Sequence, residues 1–499
     1  MAYEVVVVGG GVGGLTTAAL LAARGVRVCL LERESRAGGC VAGFERFGYR
    51  FEQTASLYAS WQPGEIHERV FAELPVEAPE TQPLSTAYVV RLPDSTDIRV
   101  GTKRDEFDED LRRAFPECAG AAIDFYSEID AIADALLRAA RRVPGLTTAS
   151  RLQRMKLIAS EPRISARILS AMNHTAAEHL ARTSERFRRF VDAQLQIFAQ
   201  RASDQCAYLY AAVALCQPLR GMHALRGGAA SLVDALVESI RKSGGEVRFD
   251  TTALRLAYDS SGRATGVELL SGERIEATRA VVSNLTVWDT YGRLVGLSRT
   301  PQSLRERLKR VRGWGAYLLY VGVDEEAAAR LASERMLALT DWQTGQEFDA
   351  DGALFTLSVA PSDDARAPEG KRAATVCAFT EPEQWFAFHE DESEHEAQDQ
   401  SALEALWRRL HGALPELGAG VEVIETATPR TFYEQTRRRL GMVGGLGQSL
   451  DVFGANAFTH RTFLPNLYMV GDTVFPGNGI AAVTHSALIV ANEIAPPTR

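Results

Sequence analysis

Six cysteines in 499 residues, with no C-x-x-C pair and no Cys/His cluster at ligand spacing, leave no basis for a disulfide framework or a structural zinc site. The same scarcity points to a reducing compartment. A formal charge of −9 argues against the whole chain being a nucleic-acid binder, which needs a clustered basic surface. Low-complexity tracts and short-period repeats are lacking, which sets aside disordered and solenoid classes. The opening "MAYEVVVVGGG" carries an acid at Glu4 and no basic region before its apolar run, so it does not read as a signal peptide and a cytoplasmic location is expected. A long unbroken apolar span is missing too. Val5 to Ala23 is free of charge, but five glycines bunch in its middle, and a strand, a tight turn and a helix fit that order better than one spanning helix. No Ser-His-Asp arrangement stands out.

What remains is an ordinary globular composition, 46% hydrophobic and 24% charged. The chain is long enough for two or three domains, or for one large domain with an insertion, and it can bury a large ligand.

The first such feature is "VVVVGGGVGGLTTAALLAARGVRVCLLER", which predicts a strand over Glu4–Val8, a helix over Gly13–Ala23 and a second strand over Val26–Leu31. Gly9, Gly11 and Gly14 meet the spacing G-x-G-x-x-G. The first makes the turn, the second lets backbone approach a pyrophosphate, and the third allows close helix–strand packing. The unsatisfied N–H groups of the helix start then face the phosphates. Glu32, ending the second strand, is placed to accept hydrogen bonds from a ribose. The motif alone does not separate NAD from FAD.

Past Glu32 come "ERESRAGGC", with the pair Gly38 and Gly39, and "FERFGYRFEQ", which alternates like a hairpin turning at Gly48. Here the sequence resembles the FAD-dependent amine oxidase and phytoene desaturase superfamily. That family often has arginine after the Gly pair; Cys40 stands there in this chain, closer to the carotenoid isomerase branch, where a small residue is usual. As a thiol, Cys40 reads as a small buried side chain rather than a redox group.

Near the other end, "NLYMVGDTVFPGNGIAAVTHSALIVANEI" predicts a strand over Leu467–Val470, an acid, a Gly-rich loop and a helix over Ala481–Ile494. One βαβ unit is too short to hold a whole flavin adenine dinucleotide. Asp472 can accept a hydroxyl hydrogen bond from the ribityl chain, while Pro476–Ile480 brings backbone amides to the ring's pyrimidine edge. The helix start there favours negative charge at that edge. The motif resembles the superfamily's C-terminal flavin motif, with Ala482 where many phytoene desaturases have a third glycine. His485, on the following helix, is a candidate catalytic residue, although a lone helical histidine is more often structural.

The resemblance implies an α/β fold: a discontinuous Rossmann-type FAD-binding domain (residues 1–85, 215–290 and 425–499) and an inserted α+β substrate domain (86–214 and 291–424). It implies FAD contacts at Gly9, Gly11, Gly14, Glu32, Arg33, Gly38, Gly39, Val247, Gly471, Asp472, Gly479 and Ile480, with no metal. Val247 would lie along the adenine end. It also implies a long apolar polyene as substrate. A carotenoid desaturase would take a hydride from an allylic carbon onto oxidised FAD, lose an adjacent proton, and pass electrons to oxygen or a quinone. A carotenoid cis–trans isomerase would use reduced FAD without net oxidation. A non-catalytic prenyl-lipid carrier, like the Rab escort and dissociation-inhibitor proteins, is a third reading, which the intact glycine and acid set opposes.

One stretch departs from the acidic average: from Arg138 to Arg189, Lys and Arg number twelve against three acids. Leu152, Met155 and Ile158, then Ile164, Ile168 and Met172, recur there at near-helical spacing among basic residues. Segment 138–190 therefore reads as a basic helical part able to lie in a membrane interface on the inner face, or as a hairpin packed on the protein's own core.

Overall fold

The computed structural model describes residues 3–54, 57–143, 145, 151–160, 162–343, 353–387 and 392–497. The first strand, Tyr3–Val8, is buried on both faces from Val5 onward, as an all-Val run in a parallel sheet requires. It lies between Val28–Leu31 on one side and Arg274–Ser283 on the other, both parallel to it. Glu246–Arg248 pairs outside Val28–Leu31, and Leu467–Met469 outside Arg274–Ser283, again in parallel. Five strands drawn from three distant stretches thus share one direction, and their C-terminal ends line one edge. Parallel order demands crossovers, and the helix Val12–Ala23 supplies the first, covered by Ala229–Lys242 and the final helix Ile480–Ile494. Ala253–Tyr258 and Ala264–Leu269 extend Arg274–Ser283 as an antiparallel ribbon. The hairpin expected at Gly48 forms, Phe44–Arg46 pairing with Tyr49–Phe51. Its turn places Phe47 and Gly48 at φ 48° and 82°, the left-handed pair that a two-residue hairpin turn needs.

A second seven-stranded sheet runs in the order Val421–Ala427, Gly315–Asp324, Lys371–Thr380, Leu354–Val359, Arg335–Leu339, Thr86–Arg91, Asp97–Gly101. Its long central pair, Gly315–Asp324 with Lys371–Thr380, is buried along almost its whole length. From residue 86 the inserted domain opens not with a helix but with "TAYVVRLPDSTDIRV", a hairpin that closes the sheet's edge, and the first helix begins at Arg104. Helices Ala119–Arg142, Glu185–Ala199 and Tyr208–Cys216 then pack over that edge, with Phe107, Phe115, Tyr126, Phe187 and Phe190 fully buried between them. Helix Tyr208–Cys216 and strand Val421–Ala427 each straddle a boundary of the expected domain division.

The basic segment forms helices Arg151–Ser160 and Pro162–Ala171. Leu152, Met155, Leu169 and Met172 are exposed on them and just beyond. Of the proposed apolar stripe, the side chains of Ile158 and Ile164 lie outside the described residues, and Ile168 is partly buried against the helical core. Among the described residues no helix is long and apolar enough to cross a membrane.

Candidate flavin site

The N-terminal turn is built by the absence of side chains. Gly9 takes φ +100° and donates its N–H to the Leu31 carbonyl. A Cβ at Gly14 would stand 2.1 Å from the Gly9 carbonyl oxygen, so helix and strand touch backbone to backbone there. A Cβ at Gly11 would meet Asn284 Nδ2 at 2.7 Å, and one at Gly13 would meet Asn284 Oδ1 at 2.6 Å and the Gly471 nitrogen at 3.3 Å. The two glycine motifs, nearly the whole chain apart, are therefore in van der Waals contact. Asn284 sits at their junction, its Oδ1 also 3.1 Å from where a Cβ on Gly471 would be. It ends the strand Arg274–Ser283, whose sequence "AVVSN" reads as an ordinary strand end; nothing in the local pattern singles the amide out.

Glu32 stands at the end of Val28–Leu31. Its Oε2 accepts the Gly10 N–H at 2.6 Å and its Oε1 the Glu34 N–H at 2.9 Å. Burial pushes its carboxyl above the ordinary range, while those two N–H groups pull the other way. Val247 pairs with Leu30 one strand further out and is half-buried, and the Glu32 N–H donates to the Arg248 carbonyl at 2.9 Å. Nearby opens a cavity of about 290 Å³ whose walls include Ala37, Ala42, Val233, Val237 and Phe249. Arg33 turns away: its Nη2 donates to the carbonyls of Glu434 and Gln435.

Gly38 takes φ +121° and donates to the Gly10 carbonyl at 2.8 Å; Gly39 takes φ +56°, and a Cβ on it would lie 3.5 Å from the Gly11 Cα. The Gly pair thus lies against the first motif. Burial pushes the Cys40 thiol up, only partly opposed by Arg438, so it stays protonated, as a packing residue would.

At the C-terminal motif, Gly471 takes φ +117° and its N–H donates to Ser486 Oγ at 3.2 Å. Asp472 pairs with Arg438, Oδ2 to Nη2 at 2.8 Å, both side chains about one-sixth exposed (17% and 16%). Sequence reading missed Arg438. The Asp472 carbonyl is boxed in, since a Cβ on Gly445 would approach it to 2.3 Å. Gly479 is the residue before helix Ile480–Ile494, takes φ +89° and has nothing within 4 Å of where a Cβ would stand. Tyr210, from the helical lobe, donates to Asn478 Oδ1, and Gln448 Nε2 would be 3.0 Å from a Cβ on Gly477. His485 is half-buried beside His460, on the helix side opposite Val483, which touches Gly13.

His460 is buried, its Nδ1 3.2 Å from the Met469 carbonyl and 3.5 Å from Ser486 Oγ, and its Nε2 has no partner among the described residues. Burial, with His485 adding to it, brings its pKa from 6.5 down to about 4. Folded, it stays neutral until about pH 4; unfolded, it takes a proton near 6.5, so its contribution is whole above 6.5 and disappears as pH falls to 4. At about 1.4 kcal/mol per unit this amounts to about 3 kcal/mol. His460→Gln should remove that share of the acid loss, read as the difference between wild type and variant in urea unfolding at pH 7 and pH 4.5. Equal losses in the two proteins would refute it.

The glycine contacts fit a long dinucleotide: bare backbone at Gly11 and Gly39, an acid at Glu32, a second acid at Asp472, and beyond it Gly479 with open space where a side chain would be. Together they fit the class of dinucleotide-binding proteins, with glycines from both ends of the chain side by side. The particular lineage follows from comparison: residues 12–495 match the family described as flavin containing amine oxidoreductase, and the chain belongs to it. FAD is accordingly its cofactor. The chloroplastic prolycopene isomerase of Arabidopsis thaliana is 25% identical, covering 99% of this chain and 82% of the plant protein. All-trans-retinol 13,14-reductase of Homo sapiens is 24% identical, covering 98% and 85%. Among solved structures, cyclohexylamine oxidase from Brevibacterium oxydans IH-35A has a TM-score of 0.62 at 17% identity, and putrescine oxidase bound to putrescine 0.64 at 14%, each covering 99% of both chains. These two show the fold alone.

Proposed function

We propose that this protein is a FAD-dependent enzyme acting on a long apolar polyene of the carotenoid type. The observation that carries this reading is the near-full-length likeness to prolycopene isomerases, joined to a cradle in which the glycines of both chain ends lie side by side. The sequence put desaturation ahead of cis–trans isomerisation; the relatives' names weigh toward isomerisation, while membership of an oxidoreductase family keeps desaturation as the second reading. The intact cradle speaks against a non-catalytic prenyl-lipid carrier.

Bound FAD would supply reversible hydride transfer at its ring. The chain's own residues do the rest. Gly9, Gly11 and Gly14 let the helix start meet the pyrophosphate, and Gly38 and Gly39 close over it. Glu32, with Val247 one strand further out, would hold the adenosine end; Asp472 would hold the ribityl hydroxyls. Gly471 carries the chain past Asn284, and the N–H groups from Gly479 and Ile480 onward meet the ring edge. Tyr210 and Asn478 tie that loop to the helical lobe, which with the second sheet would wall off the polyene from water. Arg33, its guanidinium already engaged, contributes its backbone only. His485 lies next to His460 and serves packing better than proton transfer.

The exposed Leu152, Met155, Leu169 and Met172 sit among Lys156, Arg167 and other basic residues, which suits an anionic bilayer surface from which an apolar substrate could be drawn. Expression in a host that accumulates defined carotenoid precursors, followed by pigment analysis, tests the function. A changed cis/trans ratio at constant double-bond count is expected; added double bonds would favour the desaturase, and unchanged pigment would refute both. The purified protein should sediment with anionic but not neutral vesicles, and sedimentation with neither would remove the membrane role. The electron acceptor for a desaturase would be oxygen or a quinone.

A further inference from the structure

We propose that Arg438 supplies the cation for the dinucleotide's pyrophosphate, reaching the start of the first helix from the side of Cys40. The inference rests on the cradle assignment above and adds to it a residue from outside both glycine motifs.

The turn Gly39–Val41 packs against helix Pro429–Thr436. The chain leaves that helix through Arg437, in the left-handed region at φ 53°, and this reversal delivers Arg438 to the cradle. There it is within electrostatic reach of both Cys40 and Asp472. Its Nε donates to the Met442 carbonyl at 2.7 Å and its Nη2 to Asp472 Oδ2 at 2.8 Å. Nη1 has no acceptor among the described residues. The guanidinium is about one-sixth exposed, so this third arm is accessible and free to meet a ligand.

The charges around it say which. Asp472 pairs with it, and Asp289, also within electrostatic reach, accepts the Arg439 N–H at 3.3 Å. The other arginines near the motif are engaged: Arg33 by the Glu434 and Gln435 carbonyls, Arg36 by the Gly43 carbonyl at 2.7 Å. A pyrophosphate brings two further negative charges into this half-buried, acid-lined space, where Coulomb repulsion is weakly screened. Backbone N–H groups and the Asn284 amide beside Gly11 are neutral, so Arg438 is the cation at hand. The guanidinium fork suits phosphate oxygens, and its link to Asp472 sets it in place before the ligand arrives.

The test compares two ligands that differ in the phosphates. FAD and riboflavin are titrated into deflavinated wild type, Arg438→Met and Arg438→Gln, with circular dichroism of each protein as the fold control. The Gln variant keeps a side-chain donor for Asp472 but loses the charge, so it carries the test should the Met variant misfold. FAD should bind about 10- to 100-fold more weakly to both variants, the range for one charge-assisted hydrogen bond, while riboflavin changes less than about threefold. An equal loss for both ligands would mean that Arg438 only positions Asp472 and would overturn the proposal, as would no loss for either. Failure of wild type to bind FAD would instead overturn the cradle itself.

Discussion

Asp472→Ala should abolish flavin retention and destabilise the protein by about 3–5 kcal/mol, the cost of leaving a buried partner charge uncompensated. From sequence alone Asp472 is a ribityl ligand, worth a hydrogen bond to a charged acceptor, about 1–3 kcal/mol of affinity. The structure adds a second role. Arg438 is largely enclosed by protein and pairs with this carboxylate at 2.8 Å; burial opposes the guanidinium's charge, and Asp472 with its neighbours more than restores it. Removal of the acid strands that cation beside Cys40 and the Met442 carbonyl. Asp472→Asn keeps a hydrogen-bonding group of the same size and should lose clearly less stability than Asp472→Ala. Urea unfolding with flavin absorbance on the same samples reads both effects. Equal stabilities of the Ala variant and wild type would show that the ion pair does not matter to the fold.

Gly14→Val should prevent accumulation of folded, yellow protein. A Cβ at this position would be 2.1 Å from the Gly9 carbonyl oxygen and 3.1 Å from the Asn284 Cβ, and the first of these is backbone that no rotamer change can move. Relief requires the helix Val12–Ala23 to lift from the first strand, opening the most deeply buried part of that sheet. Overpacking of this kind costs about 1–3 kcal/mol where side chains can yield, and more where only backbone can. Gly120→Ala is the internal comparison: it lies in helix Ala119–Arg142 with nothing within 4 Å of the added carbon, and should gain about 0.5–1 kcal/mol from helix propensity alone. If Gly14→Val folded and bound flavin as well as Gly120→Ala, the close backbone contact would not be what the motif is for.

Both predictions show which features could be read in advance. The first turn was legible because its requirement is local: a strand, a left-handed glycine, a helix and a terminal acid follow one another within about thirty residues. The last loop was legible for a similar reason, an acid and glycines where a strand meets a helix. Their meeting followed from the length of the ligand, and the Gly13–Gly471 contact is where it happens. Arg438 and Asn284 escaped because nothing local marks them. One follows a helix end in "TRRRLG", among other arginines; the other ends a strand like any asparagine. Only the parallel pairing of strands from three stretches brings Asn284 between the glycines. The hairpin Thr86–Gly101 was passed over because a strongly helical stretch follows it, although its alternation and its Pro-Asp-Ser turn are ordinary strand signals.

The account stands or falls on the two chain ends gripping one molecule of FAD. Hydrogen–deuterium exchange of the purified protein, with and without FAD, measures this directly. Amides in 9–14 and in 471–480 should slow together, with the same dependence on FAD concentration. Protection confined to one of the two segments would contradict it.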